Sequence, residues 1–396
     1  MSFQSVRKLV EMDIKDKKVL IRVDINVPIQ DGLVGDITRV ERIIPSLQTI
    51  IDKGGHPIII SHLGRPKGKR LEELSLIHLV KPLENLLGKP VQFQPQININ
   101  DCSAVELYSK SVTLLENVRY YPGESTNDPD FVNLLARWGD IYCNDAFSAS
   151  HRSHASIVGL ASKLPACAGK LLEVEINNID DILGSDVGPL TAIIGGAKIS
   201  TKLTLLANLT QKVDNLLVGG AMANTILLAQ GHDIGNSLVE KDYLDTALDF
   251  LQEADENACK VYLPSDFQIA PDIRHANSQI AEIDDSIGGM GIYDLGPKSI
   301  IRFAKILDQS KKVVWNGPLG AFEFAPFDHS TIQLGTTLAE RTKEGRAVSL
   351  IGGGDTIAAL AKGDLLDSMS FVSTAGGAFI EYMEGKELPG IKALQS

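Results

Sequence analysis

Short apolar runs recur along this chain of 396 residues, and each closes on glycine or polar residues before a stretch of helical periodicity. That alternation marks parallel strands joined by crossover helices, because a strand covered on both faces reads as a continuous apolar segment. The fold class is therefore expected to be α/β. In the first half the runs are residues 19–23, 57–60, 112–115 and 141–143; in the second they are 190–194, 216–218, 260–263, 313–315, 347–351 and 371–372. Each half holds enough strands for a sheet of its own, and the chain is too long for one compact core, so two domains are expected.

A segment rich in helix formers lies between the halves. Leu172, Ile176, Ile179 and Leu183 make one apolar stripe, with Glu173, Glu175, Asp180 and Asp181 expected to face elsewhere. The segment begins after Pro165 and stops at Gly184, and Gly188-Pro189 breaks the chain before the next strand. It is the candidate connector; an ordinary surface helix is the competing reading.

Ligands of open parallel sheets bind beyond the carboxyl ends of the strands. Asp24 and Asn26 follow the first run, His62, Leu63, Gly64 and Arg65 the second, residues 116–119 the third, and Asn144, Asp145 and Arg152 the fourth. In the second half Lys198, residues 316–318 and residues 352–356 take the same position. The phosphate-seeking cations Arg39, Arg65, Arg119 and Arg152 all fall in the first half, whereas the glycine-rich strand ends Gly195-Gly196, Gly219-Gly220 and Gly352-Gly353-Gly354 fall in the second. Arginines hold polyanions by forked, charge-assisted bonds, and glycine turns before helices let amides approach a nucleotide phosphate chain. The segregation suggests two half-sites of a two-substrate phosphotransferase.

A formal charge of −12 argues against non-specific binding to nucleic acid or an anionic membrane. Small anionic substrates then need local positive patches, such as Arg65, Lys67, Lys69 and Arg70, unless that run is only a solvated loop. Cys102, Cys143, Cys167 and Cys259 lack paired metal-ligand spacing and read as reduced thiols. The chain opens on no signal-like segment and contains no apolar run of the roughly 18 residues that a membrane span needs, so a cytoplasmic protein is expected.

Arg22-Val-Asp-Ile-Asn-Val-Pro28, Ser61-His-Leu-Gly-Arg-Pro66 and Leu115-Glu-Asn-Val-Arg119 resemble motifs of phosphoglycerate kinases. So do Gly195-Gly-Ala-Lys-Ile-Ser-Thr-Lys202, Trp315-Asn-Gly-Pro-Leu-Gly-Ala-Phe-Glu323, Gly352-Gly-Gly-Asp-Thr356 and Glu384-Gly-Lys-Glu-Leu-Pro389, in the family's order and over nearly the whole chain. The resemblance implies two Rossmann-like three-layer α/β/α domains with mainly parallel sheets, joined by a hinge helix. Residues 1–170 would bind phosphoglycerate, 171–184 would connect, and 185–377 would bind nucleotide, with the tail 378–396 packing back on the first domain. It further implies reversible phosphoryl transfer from 1,3-bisphosphoglycerate to ADP, giving 3-phosphoglycerate and ATP, by a monomer that closes around its substrates.

Carried over residue by residue, the resemblance gives phosphoglycerate binding to Asp24, Asn26, Arg39, His62, Leu63, Gly64, Arg65, Arg119 and Arg152. Nucleotide binding falls to Lys202, Gly291, Asn316, Glu323, Gly352, Gly353, Gly354, Asp355 and Thr356, with Gly291 bordering the adenine pocket and Asp355 holding Mg²⁺. Arg39, Lys198, Lys202, Gly353 and Gly376 would serve catalysis. Three positions depart from the common pattern: Ser148 replaces a glycine, Thr201 an aspartate and Ala375 a glycine, and alanine would be strained at Ala375 if that position needs positive φ.

Such a transfer needs charge neutralisation more than acid-base help, since a carboxylate acceptor is already ionised near neutral pH and the transition state spreads negative charge over equatorial oxygens. The many placed cations suit it, and no Ser-His-Asp or Cys-His constellation competes. Blander roles stand beside the functional ones: a solvated Arg39, a satisfied buried His62, structural pairing of Arg119 and Arg152 with Glu116 and Asp145, a plain turn at Gly352, a helix cap at Asp355 and an exposed acid at Glu323. Lys198 and Lys202, four residues apart, are expected on one face at the start of a helix. Two rival functions fit less well. A dinucleotide oxidoreductase lacks its Gly-x-Gly-x-x-Gly turn here, and a non-enzymatic scaffold has no use for transition-state cations.

Overall fold

The computed structural model describes residues 5–30, 32–98, 111–184, 187–274 and 277–395. Two compact units divide it, one of residues 1–177 with 387–396 and one of residues 178–386. Cys102 lies outside the described residues; Cys143, Cys167 and Cys259 are free and buried.

The first unit is built on six parallel strands in the order Val91–Gln94, Val112–Leu115, His56–Ile60, Lys18–Arg22, Ile141–Asn144 and Ala166–Ala168. Leu20, Ile21, Ile58, Ile59 and Tyr142 have no exposed surface, as the unbroken apolar runs require of strands covered on both faces. Helix Thr38–Asp52 buries Val40, Ile43, Leu47 and Ile50, a 3-4-3 spacing that lays one stripe on the sheet. Register aligns Arg22 with Ile60 on one side and with Asn144 on the other, so these strands end together.

The second unit repeats the plan with Lys260–Tyr262, Asn215–Val218, Leu190–Ile194, Lys312–Asn316, Val348–Gly352 and Phe371–Ser373, again all parallel. Chain order runs outward from Leu190–Ile194 in one direction and then from Lys312–Asn316 in the other. The switch point falls between those two strands, where a parallel sheet opens a ligand crevice. A three-stranded antiparallel sheet, Gln279–Glu282, Asp266–Ala270 and Gly291–Leu295, adds a feature that the apolar runs did not announce. Its outer strand Gln279–Glu282 is half exposed, whereas the central strand Asp266–Ala270 is buried at four of five positions.

The candidate connector is the helix Lys170–Leu183, within which the boundary between the units falls; Leu172, Ile176, Ile179 and Ile182 are buried, while Leu183, expected in the stripe, is only half-buried. Glu175, expected on the polar face, is instead only 2% exposed, with Arg42 3.8 Å away. The helix starts where Asp145, at the end of a neighbouring strand, accepts the amides of Leu171 and Leu172 at 2.8 and 3.1 Å. Residues 387–396 belong to the first unit and residues 378–386 to the second. The helix Gly377–Met383 stays with the second because Phe379 packs against Gly352 and Asn208 donates to the carbonyl of Met383.

Candidate functional site

Arg22 closes the central strand of the first unit and is 1% exposed. A buried guanidinium must find acceptors. Its Nε donates to Ser156 Oγ at 2.9 Å, a second nitrogen donates to the Val23 carbonyl, and Nη2 lies 3.0 Å from His62 Nδ1. Because a guanidinium can only donate, Nδ1 of His62 must accept, which places the ring proton on Nε2 and leaves the imidazole neutral. Burial and the nearby Arg22 agree, holding the His62 pKa well below its ordinary value.

Beside this pair Asp24 accepts Arg39 Nη1 at 2.7 Å, the Asn26 amide at 3.0 Å and the Ser148 hydroxyl. Burial opposes its charge, yet the carboxyl stays below the usual range, with Arg39 and the hydrogen bonds from Ser148 and Asn26 helping to hold it there. Asn26 Oδ1 in turn accepts the Gly64 amide at 2.8 Å, and the Gly64 carbonyl accepts Arg119 Nη1 at 2.7 Å. The buried Leu63 presents its carbonyl to Asn117 Nδ2 at 2.7 Å. One network thus ties together side chains from four strand ends.

That network borders a cavity of about 630 Å³ lined by Arg65, Lys67, Arg119, Arg152 and His154, with Glu124 among them. The Arg119 pKa is pushed down to about 10 by burial and by Arg22 and Arg152 nearby, against the pull of Glu124, so a dianion entering here would meet an excess of positive charge. Burial opposes ionisation of Glu124, but His154, Arg22 and Ser156 hold its carboxyl below the usual range. Glu116 and Asp145 are not the partners of Arg119 and Arg152. The first accepts Ser75 Oγ and the Leu76 amide, and the second holds the connector helix. The basic loop divides: Arg65 and Lys67 reach the cavity, while Arg70 turns to the Pro95 carbonyl and Glu116. Arg22, Glu124 and His154 escaped the sequence reading; the signal for Arg22 was an arginine inside an otherwise apolar strand.

At the switch point of the second unit Lys202 Nζ donates to the Gly195 carbonyl and to Asn316 Oδ1, each at 2.7 Å, and to the Asn316 carbonyl at 3.2 Å. Burial pulls its pKa down to about 8, partly offset by Asp355. The expected pairing of Lys198 and Lys202 on one helical face does not form. The helix begins at Leu203, so both lysines lie in the preceding turns, with Lys198 exposed and Lys202 turned under the strand ends.

Gly353 adopts φ 95 at the N-cap of helix Gly354–Ala361, and a Cβ there would meet Asn316 Nδ2 at 2.7 Å. Only glycine fits. Thr356 accepts the Gly317 amide at 2.6 Å and donates to the Gly352 carbonyl at 3.0 Å, locking two strand ends together, while Asp355 stays exposed. Next to them lies a cavity of about 280 Å³ with apolar walls including Leu238, Phe267, Ile292, Leu319 and Phe322, with Glu323 and Asp355 among its polar lining. Gly291 does not line it; the following residue, Ile292, does. Gly376 lines neither cavity and turns the chain at φ 56. Ala375 escapes the strain considered above, because the positive φ belongs to Gly376.

Asp355 suits a hard dication as a single carboxylate beside a glycine turn at a helix N-terminus, an arrangement that fits a metal arriving with an anionic ligand rather than one held in a protein cage. Among the described residues no cluster of three or more His, Cys, Asp or Glu could hold a metal by itself. No described helix is long and apolar enough to cross a membrane.

A family model described as phosphoglycerate kinase matches residues 9–386. The chain is 48% identical to the phosphoglycerate kinase of Ruegeria sp. (strain TM1040), covering 98% of this chain and 99% of that one. It is 46% identical to that of Rhizobium meliloti (strain 1021), over 100% and 99%. Among solved structures, phosphoglycerate kinase from Coxiella burnetii superimposes with a TM-score of 0.90 at 40% identity, and that from Pyrococcus horikoshii OT3 with 0.80 at 28%, each covering 98% of both chains.

Proposed function

The chain belongs to the phosphoglycerate kinase family and is a phosphotransferase acting between 1,3-bisphosphoglycerate and ADP, and from that premise we propose how its own residues do the work. The observation that carries the reading is chemical segregation. One sheet ends in a basic cavity, and the other ends in an amide-rich turn beside an apolar cavity.

Arg65, Arg119 and Arg152 hold the phosphate of phosphoglycerate, with Arg22 and His154 completing the positive field. Neutral His62 donates from Nε2 to the substrate, while Asp24 and Asn26 order the site around Gly64 and Arg39. The base of ADP or ATP takes the apolar cavity and Glu323 its ribose. The phosphates run along the Gly352 to Thr356 turn toward Lys202 and Lys198, with Asn316 and Gly353 fixing the turn. Asp355 would hold Mg²⁺ arriving with the nucleotide, and that ion would supply further charge neutralisation. Arg39 spans the carboxylate of 3-phosphoglycerate and the moving phosphoryl group, sharing the spread negative charge of an in-line transfer. No general base is needed, because the acceptor carboxylate is already ionised.

Direct transfer requires acceptor oxygen and phosphorus to lie within roughly 3 to 3.5 Å, so the reactive complex is a closed one that also excludes water from the acyl phosphate. The protein is read as a monomer of the cytoplasm. The deciding experiment is phosphorylation of 3-phosphoglycerate by MgATP, coupled to NADH oxidation through the next dehydrogenase. Turnover that needs both substrates and fails in Arg39→Ala is expected; an inactive wild-type protein that binds neither ligand overturns the reading.

A further inference from the structure

We propose that Lys362 is a positioning residue of the nucleotide site, clamping the loop that carries Phe322 and Glu323 against the cavity wall. The inference rests on the nucleotide reading of that cavity. Lys362 caps the far end of helix Gly354–Ala361, the helix whose first turn carries Asp355. Its Nζ donates to the Phe322 carbonyl, lies 3.7 Å from Asp328 Oδ2, and sits 5.4 Å from the centroid of the Phe322 ring. Carbonyl, carboxylate and ring face thus converge on one ammonium group from one loop.

What the clamp holds is part of the cavity. Phe322 is 7% exposed and lines it, and the next residue, Glu323, lines it too. Upstream, the loop is pinned by the Leu319 amide on Thr331 Oγ1 at 3.0 Å and the Ala321 amide on the Tyr293 carbonyl at 2.8 Å. Lys362 supplies the anchor at Phe322 itself. One eight-residue helix therefore places Asp355 at its start and fixes the Glu323 loop at its end, setting the distance between a phosphate-side group and a ribose-side group. The Lys362 side chain is 43% exposed, so replacing it opens no core cavity.

The test compares Lys362→Met, Lys362→Arg and Asp355→Ala in the full-length enzyme, by steady-state kinetics and by calorimetric titration of MgADP. Lys362→Met is expected to raise the KM and Kd for nucleotide about two- to tenfold, the worth of an ordinary hydrogen bond because solvent screens the half-exposed ammonium, while kcat changes less. The KM for 3-phosphoglycerate and the melting temperature should not move. Lys362→Arg should bind nucleotide as the wild type does, since a guanidinium can donate to the same carbonyl and stack on the same ring. Unchanged nucleotide affinity in Lys362→Met, with Asp355→Ala impaired, overturns the proposal and leaves the cavity reading intact. Unchanged affinity in both overturns the two together. A Lys362→Met that loses 3-phosphoglycerate affinity or melts early, or a Lys362→Arg as impaired as Lys362→Met, also overturns it.

Discussion

Arg22 donates from Nη2 to Nδ1 of His62 across 3.0 Å, with both side chains buried, and this fixes the histidine as a neutral donor from its other nitrogen. Burial and the facing guanidinium hold its pKa well below the ordinary value. Charging His62 therefore favours the unfolded chain, so its contribution to stability is present above the unfolded pKa of about 6.5 and is lost as pH falls toward the folded value. Nitrogen-15 NMR should show an unprotonated Nδ1 at pH 7 and no titration of this ring near pH 6.5. A ring that protonates near that pH contradicts the assignment.

The Ser148 hydroxyl and Arg39 Nη1 share one carboxylate oxygen of Asp24. Where the family pattern has glycine, this chain adds a donor that steadies the acid which in turn steadies Arg39. Ser148→Gly should raise the KM for 3-phosphoglycerate about two- to fivefold, less than the full worth of a hydrogen bond to a charged group because the effect reaches the substrate only through Asp24 and Arg39, with a smaller effect on nucleotide KM. Equal kinetics in the two proteins would make Ser148 a bystander.

Which residues were legible follows from how local their signals are. Arg65, Arg119 and Arg152 could be brought together in advance because each follows a strand readable as a continuous apolar run, and parallel strands put such ends on one edge. Arg22 could not, since its role comes from Ser156 and His62, distant in sequence. The spacing of Lys198 and Lys202 misled because it presumes a helix that starts only at Leu203. Gly291 opens the strand whose next four residues, Ile292 to Leu295, all line the cavity. The antiparallel sheet was illegible because Asp266–Ala270, Gln279–Glu282 and Gly291–Leu295 each interrupt or flank their apolar residues with polar ones.

Lys202 lies among carbonyl oxygens with its pKa lowered to about 8, chiefly by burial. A nucleotide phosphate needs the ammonium form, so affinity for MgADP should be steady below pH 7 and fall as pH rises through 8. Calorimetric titration from pH 6.5 to 9.5 measures this. Lys202→Arg, charged throughout the range, should bind with a flatter profile whatever its absolute affinity; the same decline in that variant would point to another group.

Asp145 accepts two amides of the connector helix, yet complete burial raises its pKa to about 7. A carboxyl raised in the folded state contributes stability that is whole below its unfolded pKa, about 3.9, and is lost as pH rises through the folded value, with a slope up to about 1.4 kcal/mol per pH unit. Asp145→Asn keeps an acceptor for the helix amides but cannot ionise. Its stability relative to wild type, measured by urea unfolding, should improve from pH 5 to 7 and level off above. A constant difference across that range would mean Asp145 is charged throughout.

Arg39 stands at the start of helix Thr38–Asp52, held by Asp24 at 2.7 Å with its side chain 32% exposed. A lysine here could keep an ion pair with Asp24, but it is a point donor and cannot bridge two oxygens in one plane as a guanidinium does. If Arg39 served only to bind substrate, Arg39→Lys and Arg39→Ala would both act mainly on the 3-phosphoglycerate KM. If it shares charge with the moving phosphoryl group, the loss must appear in kcat, because only interactions stronger in the transition state accelerate the chemical step. Arg39→Ala is expected to lower kcat by about 10³ or more, by analogy with other transition-state arginines, and Arg39→Lys by a smaller but large factor with 3-phosphoglycerate affinity largely kept. The coupled assay gives kcat and calorimetry gives the affinity. Near-normal turnover in Arg39→Ala would remove Arg39 from the chemistry and leave Lys198 and Lys202 to neutralise the transferring group.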